Sequence, residues 1–369
     1  MKLFLKIMLL ITLSISTLFG RWGWGSHRFI NDAAVDFLPE AMSFFQDHRD
    51  YLSSHSTDPD TDDLPGYYHY IDIDYYPEFF AGTLPHQWQD MVDLYGQSVM
   101  EDNGVIPWII EWWLADLTTL MENGSWNDVW QTAAELGHYV ADSHQAMHLT
   151  LNYNGQLTGN YGIHSRYETQ MINPHLDTIV FSDSVALYWE SPIDSIFSYI
   201  DAIFPSVDLV LAADDRAGNV DSNHGSTYYA MMWEDLADTT IWSLERASVD
   251  VASLWYTAWI NAGSPYPPGL SVDSPQTPTN FQLSAFPNPF NAQASIQFQL
   301  LEPGNLDLNI YDTRGKLIKS VASHAVRPGA HTLYWDGSDQ HGNRAHSGVY
   351  LVELVIGDRR SIQKLTLIK

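Results

Sequence analysis

The chain has 369 residues, 13% of them aromatic, and a formal net charge of -28 at pH 7. That length accommodates two domains with separate cores. The absence of cysteine excludes disulfides and thiolate metal sites, so any zinc must rest on nitrogen and oxygen ligands.

The charge is unevenly spread. Residues 22–262 carry 37 Asp and Glu against 5 Arg and no Lys, a balance of -32, whereas residues 271–369 carry 8 acidic and 9 basic side chains. Two compositions in one chain predict two domains. The acidic half repels polyanions at long range unless bound cations offset it locally.

In chain order, Lys2 and Lys6 flank an apolar run over 7–18 that ends near Gly20. This reads as a secretory signal peptide over 1–21, and no later segment is read as membrane-spanning. The mature protein is therefore expected outside the cell or on its surface. From 26 to about 263 the pattern is helical. Phe29, Ala33, Ala34, Phe37 and Leu38 form a stripe. Ser125 and Asp128 resemble a capping box opening a helix whose buried face is Trp126, Val129, Trp130, Ala133, Gly137 and Val140. Residues 250–262 read as another aromatic-rich helix. Five prolines between 263 and 280 mark a linker. Beyond it the period becomes two over 295–300, 306–311, 331–335 and 349–355, with turns at 302–304, 312–315 and 336–337. Short strands at that spacing predict a small antiparallel sandwich. The expected fold class is multidomain, a mainly α-helical domain followed by a small all-β immunoglobulin-like sandwich over 281–369.

The chemistry lies in four clusters of His, Asp and Glu. His138 and Asp142 are four apart, so on a helix their side chains leave one face one turn apart. That spacing suits a single cation, and a carboxylate can bridge a second. His148, six residues past Asp142, falls roughly 80° round the same helix at about 100° per residue, better placed for a neighbouring ion. His164 and Glu168 repeat the i, i+4 spacing on a second short helix. Imidazoles and carboxylates at such intervals point to zinc or a similar ion. Gln145 and Met147 read as helix packing, and His144 as supporting or surface. His48, His55, His86, His175 and His224 lie outside any ligand spacing. Alone, 69–74 reads as a strand with a solvated histidine, and 55–60 as a turn.

Four motifs carry a resemblance: Trp22-Gly-Trp-Gly-Ser-His27, Asp60 shortly before His69, His138 and Asp142 with Gln145-Ala-Met-His148, and Gly162-Ile-His164-Ser-Arg-Tyr-Glu168. Over about 22–262 the chain resembles the superfamily that joins zinc-dependent bacterial phospholipases C with fungal-type single-strand-specific nucleases. The resemblance implies a mainly helical domain holding three zinc ions. One ion takes Asp60, His69, His138 and Asp142, and a second takes His148, His164 and Glu168. The third takes His27, bridging Asp142 and the amino nitrogen and carbonyl oxygen of Trp22. The last requires processing that frees Trp22, yet Arg21 stands between it and Gly20. Ser26 and Ala146 replace the usual Gly and Pro. Thr61-Asp-Asp63 follows Asp60 where a basic residue is usual, which leaves Asp58 open as the ligand instead.

The implied activity is phosphodiester hydrolysis by a zinc-activated water, with Asp60 either ligating or steering that water. The substrate expected first is a glycerophospholipid, cleaved as by a phospholipase C. A secreted nuclease or 3'-nucleotidase acting on single strands is the alternative, and a non-catalytic surface adhesin a third reading. In the tail, residues 285–291, 310–315, 334–337, 347–350 and 364–369 resemble the C-terminal sorting domains of the type IX secretion system. That resemblance implies the secretion machinery as a partner, with an immunoglobulin-like spacer as the alternative.

Overall fold

The computed structural model describes residues 23–182, 184–268, 283–291, 293–300, 304–312, 315–327, 329–357 and 359–368. The signal-peptide assignment over 1–21, Trp22, and most of the expected linker lie outside them.

Helices dominate from Trp24 to Asn261 and enclose one apolar core. Its axis is the helix Ser226–Asn261 of 36 residues, about 54 Å long at the usual rise. Sequence pattern exposes only its last third, because the apolar face is continuous only from Val251 to Trp259. Small residues on that face let neighbours approach closely. Ser253 Oγ accepts from Leu187 N and Thr257 Oγ1 from Trp189 N, each at 3.0 Å, tying an extended segment alongside. The helix Trp126–Ser143 buries Trp126, Val129, Trp130, Ala133, Gly137 and Val140, the face expected for it. Its start differs from expectation. Ser125 makes no side-chain cap, and its carbonyl accepts from Asp128 and Val129 N instead.

The first helix, Trp24–Ala34, buries Ser26, His27, Ile30, Asn31 and Ala34. Of the stripe read from the sequence, Ala34 and Phe37 are buried and Phe29 and Leu38 pack against the core, while Ala33 is only partly covered. A polar histidine and asparagine occupy positions that hydropathy assigns to the surface. This helix crosses Trp126–Ser143 at Gly137, where a Cβ would meet Asn31 Oδ1 at 2.1 Å. A side chain there would collide with the buried Asn31 amide, which donates to His27 O at 3.2 Å. Residues 69–74 form no strand. They run between short 3₁₀ turns, with Ile71 N donating to His148 O at 2.9 Å.

Residues 192–220 are apolar and long enough to span a membrane by composition. They form two helices, Pro192–Ile203 and Ser206–Val220, that bury Ile196, Ile200 and Val210 in the core.

The C-terminal part is an antiparallel two-sheet sandwich around its own core. Its strands are β1 (Leu283–Phe286), β2 (Ala294–Leu300), β3 (Gly304–Asp312), β4 (Leu317–Val326), β5 (Gly329–Trp335), β6 (Gly348–Ile356) and β7 (Arg359–Leu367). One sheet has the order β1-β2-β5 and the other β4-β3-β6-β7. The alternating runs in the sequence correspond to β2, β3, β5 and β6, which supply most of the buried residues. β1, β4 and β7 are not among the strands read from the sequence; β4, at a sheet edge, is largely solvated and shows no clean alternation.

Gly137→Ala should destabilise the protein by about 1–3 kcal/mol through overpacking. Gly218→Ala, in a helix with nothing within 4 Å of the new methyl, should be neutral or stabilise by up to about 1 kcal/mol. Urea unfolding of the two variants checks the contrast.

Candidate metal centre

Asp142 is the hub of a buried cluster. Its Oδ2 lies 2.9 Å from His69 Nδ1 and 3.1 Å from His138 Nε2, and its Oδ1 lies 3.4 Å from His27 Nε2 and 3.6 Å from His148 Nδ1. Four imidazoles therefore surround one fully buried carboxylate. His27 reaches it from the first helix, its ring stacked on His138 with centroids 4.0 Å apart. Asp60, on the 3₁₀ turn Asp58–Asp60, brings Oδ1 to 3.7 Å from His138 Nε2. Asp58 faces elsewhere, at 2.7 Å from His55 Nδ1 and 3.0 Å from the Gln131 amide.

His148 is not on the helix of His138. That helix ends at Ser143, the chain turns at His144–Gln145, and His148 sits on the 3₁₀ turn Ala146–His148. The break, not a helical angle, brings it to Asp142. His164 lies in the single turn Ile163–Ser165 and Glu168 in the π-helical turn Arg166–Met171, a geometry that often marks functional sites. His164 Nε2 is 3.0 Å from Glu168 Oε2 and 3.1 Å from His148 Nε2. Three groupings could each hold an ion: His27, Asp60 and His138; His69, His138 and Asp142; His148, His164 and Glu168. Of the nine residues named from sequence, eight come together here, and Trp22 lies outside the described residues.

Backbone carbonyl acceptors around the cluster fix how the rings present themselves. His138 Nδ1 donates to Ser56 O at 2.8 Å, His148 Nδ1 to His69 O at 2.6 Å, and His164 Nδ1 to Tyr153 O at 3.0 Å. A carbonyl can only accept, so each Nδ1 carries the proton and each Nε2 turns a lone pair inward. His148 and His164 thereby aim two lone pairs at each other across 3.1 Å, an arrangement that needs a cation or an extra proton between them. The donor set, all imidazole and carboxylate, fits zinc.

Gln145 was missed as a site residue. It is buried, its Oε1 accepts from Met147 N, and its amide donates to Glu168 Oε2 at 3.3 Å. The only signal was a polar amide within the motif ending at His148. Arg166 was missed too. It is half-buried and pairs with Asp214 at 2.7 Å, which anchors the π turn to the helix Ser206–Val220. His144 is buried, not at the surface, and pairs with Asp250 at 3.1 Å away from the cluster. His48, His86, His175 and His224 stack or pack against Trp130, Phe197, Trp233 and Tyr228, and none joins the cluster.

A family model described as zinc dependent phospholipase C matches residues 26–243. The chain belongs to that family. A second model, described as FlgD Ig-like domain, matches residues 287–358. No curated protein matches the chain. Among solved structures, the chain is similar to the alpha-toxin of Clostridium perfringens from an avian strain, at 11% identity and a TM-score of 0.46 over 94% of this chain and 98% of that one. The alpha toxin of Clostridium absonum gives 12% identity and a TM-score of 0.42 over 95% and 98%. Latent PorU from Porphyromonas gingivalis gives 20% identity and a TM-score of 0.21 over 24% of this chain, which spans 9% of PorU.

In this phospholipase C-family chain, burial and charge oppose each other across the cluster. Burial drives the His27 imidazole below its ordinary value, and His138 beside it adds to that. Burial also opposes ionisation of Asp142, but His138 and His148 outweigh it and hold its carboxyl well below the usual range. Glu168 is likewise lowered, against burial, chiefly by His164. His148 is pushed up to about 8, its burial overcome by Asp142 and Glu168. Since that value is raised, the stability contributed by His148 is complete below the ordinary imidazole value of 6.5 and is lost as pH rises through about 8. Asp142 and Glu168, depressed, contribute above the carboxylate range and lose that only in acid. Chelator-treated protein should therefore melt at falling temperature from about pH 6.5 to above pH 8. In His148→Asn the decline should be shallower, as calorimetry across pH would reveal.

Proposed function

We propose that the chain is a secreted phosphodiester hydrolase of phospholipase C type, dependent on three zinc ions. The observation that carries this reading is the buried Asp142 carboxylate ringed by four imidazoles in a chain of the zinc-dependent phospholipase C family. One ion would rest on Asp60, His69, His138 and Asp142, and a second on His148, His164 and Glu168. A third would rest on His27, Asp142 and the terminus of Trp22. When bound, the ions supply Lewis-acid stabilisation of phosphoryl charge and acidify water.

The remaining chemistry belongs to the side chains. Asp60 Oδ1 takes a proton from the attacking water. The new oxygen–phosphorus bond forms in line as the bond from phosphorus to the glycerol oxygen breaks. The glycerol oxygen, leaving on the face opposite Asp60, takes its proton from solvent, and Asp60 gives its own proton up to solvent, so that diacylglycerol and the phosphorylated head group are released. Gln145 and Arg166 hold Glu168 and its turn in place. In this reading residues 22–262 are the catalytic unit, with 1–21 an export signal and 263–280 a linker. Residues 281–369 are a module for type IX sorting, supported by the tail motifs. The absence of Lys from 22–262 favours lipid over nucleic acid, whose backbone is usually tracked by a cationic groove.

Zinc-loaded protein should release phosphocholine from phosphatidylcholine and no nucleotides from single-stranded DNA. Nucleotide release without phosphocholine would transfer the assignment to the nuclease reading, and activity on neither to the adhesin. Asp60→Asn should lower kcat by about 10²–10⁴-fold, while Asp58→Asn changes it little. Equal losses would remove Asp60 from its role.

A further inference from the structure

The segment joining His148 to His164 has properties that holding a metal does not require. From Ser143 to Ser165 there is no Asp, Glu, Lys or Arg, within a half of the chain whose balance is -32. The loop over 150–162 instead turns apolar bodies outward. Leu157 is 70% and Tyr161 75% exposed, with Leu151 and Tyr153 partly exposed beside them. Scattered exposed hydrophobes are ordinary, but a group of them on one loop marks a contact surface.

The polar groups of this loop are turned upon one another. The Asn152 amide donates to Thr158 Oγ1 at 2.9 Å, and its Oδ1 accepts from Leu157 N at 2.8 Å. Gln156 donates to Leu151 O at 2.6 Å and accepts from Asn154 N at 2.9 Å. Gly155 O accepts from both Gly159 N and Asn160 N at 3.0 Å. At the base, Asp74 receives Thr150 Oγ1 and Leu151 N. Backbone that satisfies itself in this way can leave water at little cost. Tyr and Trp, apolar with a polar edge, suit the boundary between head groups and acyl chains.

The loop also stands at the metal centre, because Tyr153 O takes the Nδ1 proton of His164. Trp24, 55% exposed, lies one turn before His27. Its neighbour Gly23 packs on Thr169, next to Glu168. Both features flank the same π turn.

We propose that the loop over 150–162, with Trp24, docks the enzyme on a zwitterionic phospholipid surface. This rests on the phospholipase reading above. The charge distribution selects the surface. An anionic leaflet repels a domain of balance -32, whereas a loop with no charged side chain of its own enters a zwitterionic layer at a smaller desolvation cost.

Flotation of the full-length, zinc-loaded protein with vesicles tests docking independently of catalysis. The protein should bind phosphatidylcholine vesicles, and less so vesicles rich in phosphatidylglycerol. Leu157→Asp combined with Tyr161→Ser should weaken that binding by about tenfold or more. The same double variant should hydrolyse monomeric short-chain phosphatidylcholine as the parent does, and unchanged circular dichroism would confirm folding. Three results would overturn the proposal: no binding by the parent, equal binding by the variant, or preference for the anionic vesicles. Failure of the phospholipase reading is distinguishable, since it removes hydrolysis of the monomeric lipid while leaving flotation to be judged alone.

Discussion

One buried carboxylate constrains this domain. Asp142 sits within 3.6 Å of nitrogens from His27, His69, His138 and His148. Without compensation, burying that many polar groups is costly. The fold answers with backbone carbonyls from Ser56, His69 and Tyr153, which take the outward protons of three rings and point their lone pairs in. Each carbonyl comes from a different loop. The loops before the helix Trp126–Ser143 and after it are thereby ordered by the site as much as the site is ordered by them. The polar face of the first helix has the same origin, since His27 and Asn31 lie where packing alone would put apolar residues.

The parts of this cluster legible in the sequence are those set by local geometry. His138 with Asp142, and His164 with Glu168, announce themselves at four-residue intervals because a helical turn makes them neighbours. His27, Asp60 and His69 carry no such signature. They reach the hub through tertiary contacts, and only their resemblance to known motifs picked them out. Helical extrapolation misplaced His148, because the helix stops at Ser143 and a 3₁₀ turn redirects the chain. The buried roles of Gln145 and Arg166 depend on partners across the fold, Glu168 and Asp214. No periodicity encodes such pairs. The sandwich was legible where alternation is clean, over β2, β3, β5 and β6, and illegible in a strand such as β4 whose two faces are largely solvated.

The π turn over Arg166–Met171 shows how local irregularity and tertiary support combine. An extra residue in a turn leaves helical hydrogen bonding imperfect, so it persists where something else holds it. Here the Arg166 guanidinium donates to Asp214 and the Tyr228 hydroxyl, and also to the carbonyls of Asn160 and Tyr161. Glu168, two residues on, is aimed at His148 and His164 by a turn that the Arg166 pair locks to two further helices.

In the proposed reading, charge accounts for how an acidic domain would take an anionic ester. The imidazoles of the cluster are neutral in their metal-holding form, while Asp60, Asp142 and Glu168 bring three negative charges. Three divalent ions would reverse that sign locally, and bound cations are the largest charges a site can contain. The rest of the domain stays strongly acidic, so the field favouring a phosphodiester is confined to the mouth of the cluster. A diester held in a neutral head group meets that local field with little long-range repulsion, because its own charge is balanced. A polyanionic strand has to bring many phosphates past the acidic surface before one reaches the ions, and each pays the repulsion. In the proposed reading, the charge of the surface around the cluster would thus set which phosphodiester its ions meet.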